Sequence, residues 1–200
     1  MTIPAKASFP PPSEPDREPK IVSHRLFVAI RPPPPIRDML IDRMEALDGA
    51  RWQDDDQLHV TLRFVGEVDA RMADDLVASL ASVDCPPFPL SLAGVGHFER
   101  KGRAHTLWAG LGESEALRRL QGRVEMACRR AGLPPETRKF APHITIARLN
   151  ASTDPIGPWI ARQGDLASQP WIVDAFTLFE SHLSASGALY EPVRRYALLR

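Results

Sequence analysis

The chain has 200 residues, of which 44% are apolar and 25% charged, the composition of one globular domain or of two closely joined lobes. Twenty-five basic and twenty-five acidic residues cancel. That excludes a broad basic field for long nucleic acid, so a nucleic-acid ligand would be held by one end or one nucleotide.

Residues 1–23 read as a disordered, proline-rich tail, because they hold too little apolar surface to offset the entropy of ordering. They have no apolar stretch of the kind that makes a secretory signal. From His24 the sequence HRLFVAI reads as a buried strand, stopped by Arg31 and the prolines 32–35. A helix follows, carrying Ile36, Met39, Leu40, Met44 and Leu47 at helical spacing. LHVTLRFVG (58–66) alternates as a strand that Gly66 closes. Met72, Ala73, Leu76, Val77 and Leu80 mark a second helix. PLSLAGVGHF (89–98) and AHTLWAGL (104–111) form an antiparallel pair around a basic loop, Arg100 to Arg103. Leu117, Leu120, Val124, Cys128 and Ala131 mark a third helix, ended by Gly132 and two prolines. PHITIARL (142–149) alternates again, and WIVDAFTLFE (171–180) and LYEPVRRYALL (189–199) are strands joined by SHLSASG. Interleaved strands and helices without a glycine-rich nucleotide loop predict an α+β protein with antiparallel sheets. Cys85 and Cys128 make neither a zinc pattern nor a C-x-x-C pair, so both are expected as reduced thiols. No apolar run reaches bilayer length. These features predict a cytoplasmic protein.

One short pattern occurs twice, His59-Val60-Thr61-Leu62 and His143-Ile144-Thr145-Ile146. In a strand, residues two apart share a side, about 6.6 Å apart. Each motif therefore presents one imidazole and one hydroxyl to a common face. Two such strands across a cleft would surround a phosphate with two imidazoles and two hydroxyl donors. Opening a cyclic phosphodiester needs a base to deprotonate water and an acid to protonate the departing oxygen. Two histidines can divide those tasks near neutral pH, while hydroxyls stabilise the phosphoryl oxygens. Neither motif supplies three or four convergent metal ligands, so a metal-dependent hydrolase is disfavoured.

The repeated H-x-T-x pattern resembles that of the 2H phosphoesterase superfamily. RLFVAI (25–30), HVTLRFVGEV (59–68), GVGHF (94–98), LWAGL (107–111), FAPHITIAR (140–148) and SHLSASGALY (181–190) are similar, in order, to segments of its RNA 2′,3′-cyclic phosphodiesterase (LigT-like) branch. The resemblance covers residues 24–200 as a single domain. It implies a bilobal, pseudo-two-fold symmetric fold, with antiparallel sheets lining a central cleft and helices outside. It also implies hydrolysis of a 2′,3′-cyclic phosphate to a 2′-phosphate without metal or cofactor, with reversible 2′,5′ joining of RNA ends. His59 is then the proton donor, His143 the proton acceptor, and Thr61 and Thr145 ligands of the phosphate.

Arg148 resembles a substrate-binding residue of the family, although strict alternation puts it opposite His143 and Thr145; a strand ending near Ala147 would resolve this. Alternation puts Arg63 with His59 and Thr61, which makes it a second candidate for substrate contact. Phe27 or Val28 lies near the base, and only an aromatic there could stack. The expected ligand is an RNA end or nucleotide bearing a 2′,3′-cyclic phosphate, with no membrane or protein partner and a monomeric chain. Two alternatives use the same cleft: a non-catalytic module binding a nucleotide or RNA end, and a diesterase for another substrate such as ADP-ribose cyclic phosphate or 2′,5′-oligonucleotides.

Overall fold

The computed structural model describes residues 23–184 and 187–199. The proline-rich tail at 1–22 lies outside the described residues, and Ser23 already pairs with Asp69. Among the described residues, ten strands and four helices run in the order β1 (Ser23–Ile30), α1 (Pro34–Ile41), β2 (Arg51–Trp52), β3 (Val60–Asp69), α2 (Ala70–Leu80), β4 (Phe88–Leu90), β5 (Leu92–Arg100), β6 (Arg103–Leu111), α3 (Glu115–Arg130), β7 (His143–Arg148), α4 (Gly157–Gln163), β8 (Trp171–Val173), β9 (Ala175–Ser184) and β10 (Gly187–Ala197).

The antiparallel α+β architecture is the one expected. Strands β10, β9, β1 and β3 form one half of the main sheet, and β7, β6 and β5 the other, with β2 on β7. A single residue pair, Val60 with Ile144, joins the halves. Those are the second residues of the two H-x-T-x motifs, so the repeat lies on the seam between the lobes. Both side chains are fully buried in the main core. Their antiparallel pairing turns His59, Thr61, His143 and Thr145 to the opposite side. It also sets His59 on the side of Thr145, and Thr61 on the side of His143.

Core and site faces separate cleanly on β1. Leu26, Val28 and Ile30 enter the main core with Leu76 and Leu80 of α2 and Leu120 and Val124 of α3. Phe27 and Ala29 point the other way and cluster with Phe179 and Tyr190. Burial of this apolar surface is the main term holding the helices on the sheet. Helix α3 is capped by Ser114, whose hydroxyl accepts from the Leu117 amide, with Arg129 and Arg130 at its negative end.

Several boundaries differ from the sequence reading. Helix α1 stops at Ile41, and Met44 and Leu47 follow in irregular backbone, although Leu47 is still buried. Gly66 does not close β3. It takes φ +86° at a bulge opposite β1, and the strand continues to Asp69, whose carboxylate caps α2 by accepting from the Met72 amide. Pro89 and Leu90 belong to β4, which pairs with β8 in a separate two-stranded sheet. Of the residues read as a turn, 181–187, Ser181–Ser184 extend β9 and Gly187 begins β10, while 185 and 186 lie outside the described residues. Helix α4, unmarked by any long apolar period, docks through buried Trp159. The basic loop is a two-residue turn: Lys101 and Gly102 both have positive φ, as tight hairpins require.

Candidate active site

Each histidine is oriented by its own motif's approach to the seam. His59 lies just ahead of β3, after a 3-10 turn at Asp55–Gln57. The Gln57 side chain locks that turn, accepting from the Asp54 amide at 3.1 Å and donating to the Ala188 carbonyl of β10 at 2.7 Å. The Gln57 carbonyl sits 2.7 Å from His59 Nδ1, and the Ala141 carbonyl 2.8 Å from His143 Nδ1. A carbonyl only accepts, so both Nδ1 atoms carry hydrogen and both Nε2 atoms are left for chemistry. The rings rest on aromatic walls. His59 has Phe27 at 5.0 Å and Tyr190 edge-on at 5.3 Å. His143 has Phe98 edge-on at 4.8 Å and Trp108 at 6.4 Å. Trp108 can lie flat there because its cross-strand partner is Gly96, where a Cβ would fall 2.3 Å from the indole.

A matched pair of bulges re-aims the side chains that follow the threonines. On β1, Ala29 faces Thr61 and the next residue, Val28, faces Arg63; Leu62 is the extra residue. On β6, Trp108 faces Thr145 and Leu107 faces Ala147; Ile146 is the extra residue. Each bulge reverses alternation at the same motif position. Arg148 therefore returns to the side of His143 and Thr145, and β7 need not end at Ala147 to bring it there.

The same reversal removes Arg63 from the face of His59. Its guanidinium, 8% exposed, lies with Nε 2.8 Å from Glu125 and Nη1 3.2 Å from Glu136. It also donates to the Phe64 and Pro134 carbonyls at 2.7 and 2.6 Å. Its charge is engaged by two carboxylates, so although it borders the same cavity as His59 and His143 it reads as a structural cation rather than the substrate contact the sequence suggested. Arg63→Met should cost about 1–3 kcal/mol in urea denaturation, because it leaves the largely buried Glu125 without its cation, while Glu136 keeps Arg138. Unchanged stability with lost turnover would instead return Arg63 to substrate binding.

Phe27 is corrected as well. It is on the site side but only 2% exposed, packed among His59, Phe179 and Tyr190, so no base can reach its face. It holds His59 in place. The open aromatic is Phe64, 46% exposed on the same side. The bulge places it there, and alternation pointed it to the core.

His59, Thr61, His143, Thr145 and Arg148 line one cavity of about 430 Å³, together with Phe64, Phe98, His105, Lys139 and Tyr190. Arg148 donates to the Thr106 hydroxyl at 3.0 Å, which fixes its guanidinium beside the imidazoles. Burial, His143 and Arg148 lower the His59 pKa to about 4, against the partial support of the Gln57 carbonyl. Burial, with Arg148, also lowers that of His143. Both rings are thus mainly neutral at pH 7, and an anion between them restores affinity for a proton. Among the described residues, no three His, Cys, Asp or Glu side chains are grouped to hold a metal ion. Cys85 and Cys128 are free and buried.

Two neutral imidazoles with available Nε2 atoms, a matched pair of threonines and a fixed arginine make this a two-histidine phosphoesterase cleft. The chain belongs to the 2′-5′ RNA ligase superfamily, whose model matches residues 32–184. It is 32% identical to the RNA 2′,3′-cyclic phosphodiesterase of Aeropyrum pernix, over 69% of this chain and 80% of that one. It is 29% identical to the RNA 2′,3′-cyclic phosphodiesterase of Escherichia coli, over 87% and 96%. Among solved structures it is similar to E. coli LigT complexed with 3′-AMP, with a TM-score of 0.72, 28% identity, and 90% and 100% of the two chains covered. TT0787 of Thermus thermophilus gives a TM-score of 0.74 at 27% identity, covering 87% and 97%.

Proposed function

We propose that this protein hydrolyses the 2′,3′-cyclic phosphate at an RNA end or on a nucleotide, leaving a 2′-phosphate, by acid–base catalysis between two histidines without a metal. The observation that carries this reading is the matched pair of imidazoles in one cavity, each with Nδ1 on its own i−2 carbonyl. Relatives named RNA 2′,3′-cyclic phosphodiesterase support the substrate class.

In this reading the phosphodiester anion lies between the rings, with Arg148 and the hydroxyls of Thr61 and Thr145 on its free oxygens. His143 Nε2 takes a proton from water as the water oxygen bonds to phosphorus. The bond from phosphorus to the ribose 3′ oxygen breaks, and His59 Nε2–H delivers its proton to that oxygen. The product has a 3′-hydroxyl and a 2′-phosphate; His143 has gained a proton and His59 has lost one, and exchange with solvent then restores the starting protonation of both. A 5′-hydroxyl in place of water would give a 2′,5′ linkage by the same steps. No described helix is long and apolar enough to cross a membrane, and a cytoplasmic monomer remains part of the proposal.

The test is incubation with each nucleoside 2′,3′-cyclic phosphate in excess EDTA, with the products identified. A 2′-phosphate is expected; a 3′-phosphate, or loss of activity in chelator, would overturn the reading. The pH profile adds a second check. Catalysis needs one ring protonated and one neutral, and both free-enzyme pKa values are lowered from 6.5, so the proton is lost earlier as pH rises. The bell for kcat/KM should therefore have both limbs below about pH 6.5, while that for kcat shifts upward because the bound anion stabilises imidazolium. A kcat/KM optimum above pH 7 would contradict these surroundings.

A further inference from the structure

Past His59 the cleft opens into a second cavity of about 230 Å³. It shares Gln53, His59, Phe64, Arg148 and Tyr190 with the first, and adds Arg25 from β1 and Arg51 from β2. Among the described residues, no carboxylate lines it. Strand β2 places Arg51 directly opposite Arg148 of β7. Directly opposed residues of an antiparallel pair point to the same side, where like charges repel. Neither arginine has an ion-pair partner among the described residues, and Arg148 holds only the Thr106 hydroxyl. Arg25 faces Glu67 across the β1–β3 ladder without an ion pair between them. Two opposed guanidinium groups therefore stand without a carboxylate partner at the wall of a cavity adjoining His59, and Arg25, opposite Glu67 but not ion-paired with it, lines the same wall. Folding gains nothing from this arrangement; an anion between them would.

We propose that Arg51 and Arg25, next to the Arg148 that holds the cyclic phosphate, form a subsite for the phosphodiester on the 5′ side of the terminal nucleotide, so that the enzyme selects an RNA end over a free nucleoside cyclic phosphate. This rests on the role of His59 as the acid. The oxygen that leaves phosphorus belongs to the terminal ribose and must lie toward the acid, while the attacking water enters from the opposite side, toward His143. The ribose is thus on the His59 side, and the chain leaving its 5′ position continues into the wing that holds Arg25 and Arg51. Charge-assisted hydrogen bonds from a guanidinium fork suit that phosphate.

The experiment compares kcat/KM on three substrates: a nucleoside 2′,3′-cyclic phosphate, the same nucleotide with a 5′-phosphate, and a dinucleotide ending in the cyclic phosphate. Both phosphate-bearing substrates should exceed the bare nucleoside by about 10- to 100-fold in the native protein. Arg51→Gln should reduce that ratio to roughly threefold or less, and Arg25→Gln should reduce it several-fold. Removing the opposed charge should also raise the melting temperature of ligand-free Arg51→Gln by about 1–3 °C, whereas a structural arginine would lower it. A ratio near one in the native protein, with all three substrates turned over, overturns the subsite and leaves the proposed function intact. So does an advantage of the dinucleotide alone that survives both substitutions, since it would come from the added nucleoside. Failure to open any of the three overturns the proposed function, and the subsite with it.

Discussion

His59→Ala and His143→Ala should each lose on the order of 10²–10⁴-fold in kcat/KM on a nucleoside 2′,3′-cyclic phosphate, since each removes one proton transfer. Their responses to a better leaving group should differ. A ribose alkoxide leaves poorly without a proton, but a thiolate at the same position needs little help. On an analogue with sulfur in place of the 3′ oxygen, His59→Ala should regain most of its rate, while His143→Ala, which cannot activate water, should not. The reverse pattern would exchange the roles and keep the mechanism. Rescue of neither would mean that the imidazoles mainly bind phosphate, and the acid–base account would fall. Neither substitution should unfold the protein, because both rings are half-buried at the cavity wall rather than in the main core.

Thr61→Val and Thr145→Val should each lower kcat/KM by about 10- to 1,000-fold, mostly in kcat, because a donor aimed at the phosphoryl oxygens gains most as charge develops there. Valine keeps the branched shape and strand preference of threonine. Neither hydroxyl has a hydrogen-bond partner among the described residues, so melting temperatures should stay near the native value. That combination is a clean test. Native rates for both variants would leave the threonines as ordinary strand residues, and a large loss of stability would mean that their hydroxyls hold the seam together. The two effects should be of similar size, because the antiparallel seam at Val60 and Ile144 places each threonine beside the other motif's histidine.

The repeat itself was legible in the chain because it depends only on local chemistry. His59, Thr61, His143 and Thr145 are two residues apart in strand-forming sequence, and period-two alternation put their side chains on one face. The helical stripes of α2 and α3, and most strands, were legible for the same reason: burial of one face imposes a period that neighbouring residues carry in full. What the chain left open was everything that depends on which strand lies alongside. The bulges at Leu62 and Ile146 exist only in the register of β3 against β1 and of β7 against β6. No residue type within the motifs marks them, yet each reverses the direction of the side chains that follow it, as far as the next bulge. That reversal brings Arg148 to the cavity, sends Arg63 to Glu125 and Glu136, and exposes Phe64 where alternation buried it. Arg51 shows the same limit. Beside Trp52 in a strand of two residues it has no period to read, and only pairing with β7 sets it against Arg148. Alternation belongs to one strand, and a bulge or a cross-strand neighbour belongs to two.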